Sequence, residues 1–155
     1  MEGVIPIKRL AAFVSSLKKQ NKKTVLIGGC FDILHPGHIT FLEKAKKAGD
    51  ILIVLLESDQ KVTELKGVGR PVNTQTERAK VLSALKTVDC VVRLPYLKSD
   101  TQYDQLTAKI KPDVIAATSK DTDTSHHRRS AKLVGAKFKV VTKIDHHSTS
   151  SILKH

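Results

Sequence analysis

With 155 residues, 40% of them hydrophobic and 27% charged, the chain has the size and composition of one globular core, and no apolar run approaches the roughly 20 residues that cross a bilayer. The formal charge of +12 points to an anionic partner. The basic residues are dispersed rather than massed in a stripe, and aromatic residues at 4% give few platforms for stacking bases, so nucleic acid and membrane both give way to a phosphate-rich small molecule.

Leu10, Phe13, Val14 and Leu17 recur at spacings of three and four, which predicts an opening amphipathic helix rather than a signal-peptide core and makes the cytoplasm the expected compartment. Residues 24–27 form a β-branched and aliphatic strand that runs into Gly28-Gly29. Residues 38–48 carry Ile39, Phe41, Leu42 and Ala45 at helical spacing, with Gly49 as the expected C-terminal cap. The continuous apolar run 51–56 is the pattern of a parallel strand buried on both faces. A short helix over 59–65 leads into the Gly- and Pro-punctuated loop 67–73, and a helix over 74–85 follows, its Thr74 and Glu77 placed for a capping box.

Three more strands are predicted at 88–94, 113–117 and 137–141, with helices at 101–110, at 122–134 and, to close, at 148–154. Strands and helices taking turns imply a parallel sheet with helices on both faces. The expected architecture is a single doubly wound, Rossmann-like α/β domain over residues 1–155, with a five-stranded parallel sheet and residues 1–22 as an N-terminal helical extension. Cys30 and Cys90 sit in apolar runs and belong to no CxxC pair or Cys/His cluster, so both read as reduced core thiols and no protein-held metal centre is expected.

In a doubly wound sheet, ligands bind beyond the carboxyl ends of the strands. The segment Gly28-Gly29-Cys30-Phe31-Asp32-Ile33-Leu34-His35-Pro36-Gly37-His38 is such an end. Its glycines allow close backbone approach and positive φ. His35 and His38 flank a Pro-Gly turn at the start of a helix, where free N–H groups and the dipole attract phosphate. Two imidazoles there can hydrogen-bond the oxygens of a reacting phosphate. Lys66 and Arg70, in the Gly-rich loop, and Arg78, on the next helix, read either as a second phosphate-binding cluster or as solvated surface cations. His126-His127-Arg128-Arg129 reads as an acceptor-binding basic edge or as a solvated helix face.

The stretch GGCFDILHPGH resembles the HxGH signature of the cytidylyltransferase-like nucleotidyltransferase superfamily. LKGVGRPVNTQTERAKVLSALKTVDCVV, residues 65–92, resembles more specifically the branch that adenylylates D-glycero-β-D-manno-heptose 1-phosphate. The likeness is strong over about residues 24–93 and weaker afterwards. It implies transfer of a nucleoside monophosphate to a phosphorylated small-molecule acceptor, with pyrophosphate released. His35, His38 and Lys66 are then the catalytic residues, and Gly28, Gly29, Cys30, Phe31 and Asp121 line the nucleotide site. Ser148, Thr149 and Ser150 look like the superfamily's second signature and would receive the β- and γ-phosphates, although one of them would suffice as a plain helix cap. Asp32, Lys66, Arg70 and Arg78 fall to the acceptor, with Asp32 either orienting the loop or lying near that substrate.

The resemblance further implies Mg²⁺ accompanying the triphosphate and makes a homodimer the assembly to test for. ATP or CTP can be the donor, and the acceptor can be heptose 1-phosphate, glycerol 3-phosphate or FMN. A non-catalytic nucleic-acid-binding module is the rival class. It predicts steeply salt-dependent binding and no pyrophosphate release. Two departures from the family pattern stand out: Thr118-Ser119-Lys120 replaces a glycine pair ahead of Asp121, and Asp145-His146-His147 precedes the terminal Ser/Thr cluster.

Overall fold

The computed structural model describes residues 3–118 and 125–141, together with Leu153. In chain order the elements are β1 (Gly3–Ile5), α1 (Ile7–Lys19), β2 (Thr24–Gly29), α2 (Pro36–Lys46), β3 (Ile51–Leu56), α3 (Asp59–Lys66), α4 (Gln75–Ser83), β4 (Cys90–Arg93), α5 (Asp100–Ile110), β5 (Val114–Thr118), α6 (Ser125–Val134) and β6 (Lys137–Val141). The sheet is parallel throughout, in the order β1-β4-β3-β2-β5-β6. This is the expected doubly wound α/β fold, with six strands rather than five.

The additional strand is β1. Its three residues pair with Cys90, Val91 and Val92 at one edge of the sheet, and α1 then packs against β4 and α5. Residues 3–19 thus supply an edge strand of the sheet and part of its cover. A three-residue strand is too short to declare itself by periodicity, and here Pro6 turns it straight into α1.

Alternate residues of the central strands feed two cores, the behaviour of a sheet covered on both sides. Val25, Ile27, Leu52, Val54 and Leu56 meet Phe41, Leu42 and Ala45 of α2 and Ala79 and Leu82 of α4. On the opposite face Leu26, Ile53, Leu55 and Ile115 meet Leu10 and Val14 of α1, Ile110 of α5 and Ala131 of α6.

At the amino ends of the strands, acidic side chains tie neighbours together. Asp113 accepts from the amide and hydroxyl of Thr24 at 2.8 and 2.9 Å, and Asp89 accepts from Leu52 N at 2.8 Å. From β2 the chain winds outward through β3 to β4, then crosses back through α5 to place β5 on the other side of β2. The winding therefore reverses between β2 and β5, the position where such sheets bind ligands.

Gly49 is not the cap of α2, a role taken by Lys47. A Cβ at Gly49 would lie 2.8 Å from both Lys23 O and Val25 Cγ2, so the glycine lets the helix exit pass close under β2. Gly49→Ala is expected to destabilise the fold by about 1–3 kcal/mol through this overpacking, measured by urea unfolding; an unchanged midpoint would show that the backbone yields freely.

Candidate active site

A cleft of about 620 Å³ opens at the carboxyl ends of β2, β3 and β5, within the range of small-molecule sites. Gly28, Gly29, Cys30, Phe31, Asp32, His35, His38, Lys66 and Arg70 all line it. Asp121, Ser148, Thr149 and Ser150 lie outside the described residues.

The histidine pair is built by the start of α2. The helix begins at Pro36, two residues before the expected start. His35 is its N-cap, with extended φ and ψ of −141° and 169°. The His38 amide donates to His35 O at 3.0 Å and to His35 Nδ1 at 3.4 Å. An imidazole whose Nδ1 accepts carries its proton on Nε2 when neutral, leaving that nitrogen as a donor. The two rings stack with centroids 3.7 Å apart and planes 25° from parallel. Both therefore border one small volume at the amino end of a helix, where anions are stabilised.

Phe31 supports this pair. Its ring lies 5.3 Å from that of His38, and its φ of 45° is left-handed, an uncommon conformation for a residue with a bulky side chain. Gly28 and Gly29 do not use the positive φ open to them, and both continue β2, paired with Leu55 and Leu56. Gly29 is needed for space: a Cβ there would sit 2.7 Å from the Phe31 ring.

Asp32 is almost wholly buried and accepts from Arg70 Nε at 2.7 Å, Val72 N at 2.9 Å and Asn73 N at 3.0 Å. Burial pushes its carboxyl up, but these bonds outweigh burial and hold it below the usual carboxylate range. The acid thus staples the loop after β2 to the loop before α4, and Arg70 is held as the other half of that staple. The acceptor-binding reading of Asp32 gives way to its alternative, loop orientation.

The reading of Arg78 also changes. Its guanidinium is fully buried and donates to Asn73 O at 3.1 Å, Cys30 O at 2.6 Å, Glu57 O at 3.0 Å and Asp59 Oδ1 at 2.7 Å. Four of its five donors are committed to the protein. It fastens three loops and does not reach out to an acceptor. Lys66, by contrast, is exposed on the rim of the cleft. Burial raises the Cys30 thiol pKa against the pull of Lys66, which makes Cys30 a neutral wall rather than a nucleophile.

Glu57, Lys61, Tyr103, His126 and His127 also line the cleft. Tyr103 Oη donates to Glu57 at 2.8 and 3.0 Å, to Oε1 and Oε2. Burial raises the Glu57 carboxyl, opposed by the Tyr103 bond and by Lys61 and Arg78. Burial and the adjacent acid push Tyr103 up in turn, so the phenol stays a neutral donor. Glu57 is the first residue after an unbroken apolar strand, a position that marks a carboxyl end. Tyr103 sits mid-helix and carries no such signal. The basic segment of α6 divides: His126 and His127 face the cleft, whereas Arg128 lies over the Phe138 ring at 4.7 Å and Arg129 pairs with Asp104 at 2.9 Å.

Residues 26–154 match the family of cytidylyltransferase-like proteins. The chain is similar to bifunctional protein HldE of Methylobacillus flagellatus, with 39% identity over 99% of this chain and 31% of that protein. It is also similar to bifunctional protein HldE of Pseudomonas fluorescens, with 36% identity over 98% of this chain and 31% of the relative. The chain thus spans about a third of the length of these curated relatives. Among solved structures, a lipopolysaccharide core biosynthesis protein from Thermoplasma volcanium aligns with a TM-score of 0.66 and 27% identity, covering 80% of this chain and 99% of that one. Pantoate-beta-alanine ligase from Francisella tularensis, complexed with beta-gamma ATP and beta-alanine, aligns with a TM-score of 0.64 and 16% identity over 99% of this chain and 76% of that one, a likeness of fold.

Asp32→Asn is expected to cost about 2–4 kcal/mol in denaturant unfolding at neutral pH. The folded carboxyl titrates below its unfolded value, so its contribution is complete above pH of about 4 and fades as pH falls through the depressed value; the gap between wild type and variant should narrow only in acid. Arg78→Lys loses the fork that bridges three loops and should lower the melting midpoint by about 6–12 °C. An unchanged midpoint with a raised acceptor KM would restore the acceptor-binding role.

Proposed function

The chain belongs to the cytidylyltransferase-like family of nucleotidyltransferases, and on that premise we propose that it transfers AMP from ATP to a sugar phosphate such as D-glycero-β-D-manno-heptose 1-phosphate, releasing pyrophosphate. The observation that carries this reading is the stacked pair His35 and His38 at the amino end of α2, beside the point where the sheet reverses its winding.

In the reaction, an oxygen of the acceptor phosphate attacks the α-phosphorus in line. The bond to the β-phosphate breaks, and pyrophosphate leaves with the electron pair. No protein nucleophile takes part. His35 and His38 donate to the α-phosphate oxygens as negative charge redistributes, and the positive end of the α2 dipole adds to that field. Gly28 and Gly29 present bare backbone to the nucleotide, flanked by Cys30 and Phe31. Lys66 supplies a mobile cation to the acceptor or triphosphate. Asp121 near the base, and Ser148, Thr149 and Ser150 on the β- and γ-phosphates, complete the site by resemblance.

Mg²⁺ is expected to arrive with the triphosphate, where phosphate oxygens and water supply most of its ligands. Among the described residues there is no group of three or more His, Cys, Asp or Glu side chains able to hold a metal. Among those residues no helix is long and apolar enough to cross a membrane. The setting we propose is a cytoplasmic enzyme acting on diffusible substrates, with a homodimer as the assembly to test for.

A panel of ATP and CTP against heptose 1-phosphate, glycerol 3-phosphate and FMN, read by pyrophosphate release, should give the highest kcat/KM for ATP with heptose 1-phosphate. Turnover by CTP with glycerol 3-phosphate alone would move the assignment within the family, and no release from any pair would end it. His38→Ala should lower kcat about 10²–10³-fold, the scale of removing one transition-state donor. Near-normal turnover in that variant would take His38 out of the mechanism.

A further inference from the structure

Asp32, buried, and Glu57, half-buried, both border the cleft, and their surroundings differ. Asp32 receives three donors, Arg70 Nε and the amides of Val72 and Asn73, which occupy most of its acceptor positions. Glu57 is met by Tyr103 Oη, a single proton shared between its two oxygens at 2.8 and 3.0 Å. A carboxylate has about four acceptor positions, so Glu57 keeps acceptor capacity on a surface that lines the cavity.

The acid is also held firmly. Glu57 N donates to Gly29 O at 3.1 Å, and Glu57 O accepts from Arg78 Nη2 at 3.0 Å. Tyr103 is fixed in turn: its carbonyl accepts from Thr107 Oγ1 at 2.9 Å, Lys61 Nζ lies 5.8 Å from its ring centroid, and the His126 ring meets it edge-on at 5.7 Å.

A fixed carboxylate repels phosphate, so Glu57 marks a part of the cleft that phosphates do not occupy. What it can meet there is a neutral group rich in O–H donors. β3 lies beside β2 on the side away from β5, which sets Glu57 one strand away from the reversal point given to the nucleotide. We propose that Glu57, positioned by Tyr103, determines acceptor specificity by accepting hydrogen bonds from ring hydroxyls of the sugar phosphate. This rests on the proposed transferase reading for the identity of the acceptor, but its binding component is independent of turnover.

The test uses the full chain as wild type, Glu57→Gln and Tyr103→Phe, with thermal unfolding of each as the control for folding. With ATP and heptose 1-phosphate, Glu57→Gln should raise the acceptor KM about 10- to 100-fold, the loss of one hydrogen bond to a charged group, while the KM for ATP stays within about twofold. Tyr103→Phe should act in the same direction about 3- to 10-fold, as expected for losing a neutral hydrogen bond that orients the acid. Calorimetry with mannose 1-phosphate and its singly deoxygenated analogues supplies the readout that a purely structural role would not move. At least one deoxygenation should weaken binding to the wild type about tenfold and leave binding to Glu57→Gln unchanged. A rise in the ATP KM instead, equal deoxygenation losses in wild type and variant, or no binding of mannose 1-phosphate to the wild type would each overturn the proposal. Absence of pyrophosphate release from any substrate pair, with the calorimetric pattern intact, would remove the transferase reading and leave the hydroxyl-binding acid standing.

Discussion

The architecture of the cleft depends on one buried cation. Arg78 rises from α4 with its side chain sealed from solvent and joins the carbonyls of Cys30, Glu57 and Asn73 and the carboxylate of Asp59. Those acceptors belong to the loop after β2, the end of β3, the loop before α4 and the start of α3. A buried guanidinium without partners would be costly, so the four segments must converge for the fold to form at all. The planar fork sets their relative positions in a way that a lysine could not. Asp32 repeats the device with the opposite sign, drawing Arg70 and the amides of Val72 and Asn73 toward the same loop.

This use of internal charge gives the net charge of +12 a more specific meaning. Acids occupy the amino ends of the strands, where Asp113 and Asp89 satisfy backbone donors. At the carboxyl ends, Lys66, Arg70, His35 and His38 line the cavity. The electrostatic asymmetry runs along the strands, with the anion-binding side where the winding reverses. Asp32 and Glu57 are acids at that end, and Glu57 differs in keeping acceptor capacity toward the cleft.

Much of this was legible in the residues. The runs 24–27 and 51–56 announce central strands because a two-sided burial leaves no polar alternation. The His-Pro-Gly-His turn announces a helix start because proline favours the first helical position. The Thr74–Glu77 capping box is present as spacing suggests. β1 was not legible, since three residues hold no period and its pairing with β4 spans most of a hundred positions. The partners of Arg78 were not legible for a different reason. An arginine beside a phosphate loop has the same composition whether its fork meets a ligand or a carbonyl, and only burial separates the two. Tyr103 was invisible because a tyrosine at helical spacing reads as core, and what it contacts comes from an element 46 positions earlier in the chain. The Ser/Thr cluster at 148–150 and Asp121 lie outside the described residues.

The clamp around position 57 has an implication for how relatives could diverge. Arg78 grips the carbonyl of that residue, and Gly29 receives its amide, so neither restraint depends on which side chain the position carries. The backbone is immobilised while the chemistry above it is left open to exchange. Descendants of one ancestral scaffold could therefore swap a single residue at the tip of β3, retune which molecule receives the nucleotide, and leave the imidazole pair one strand away undisturbed.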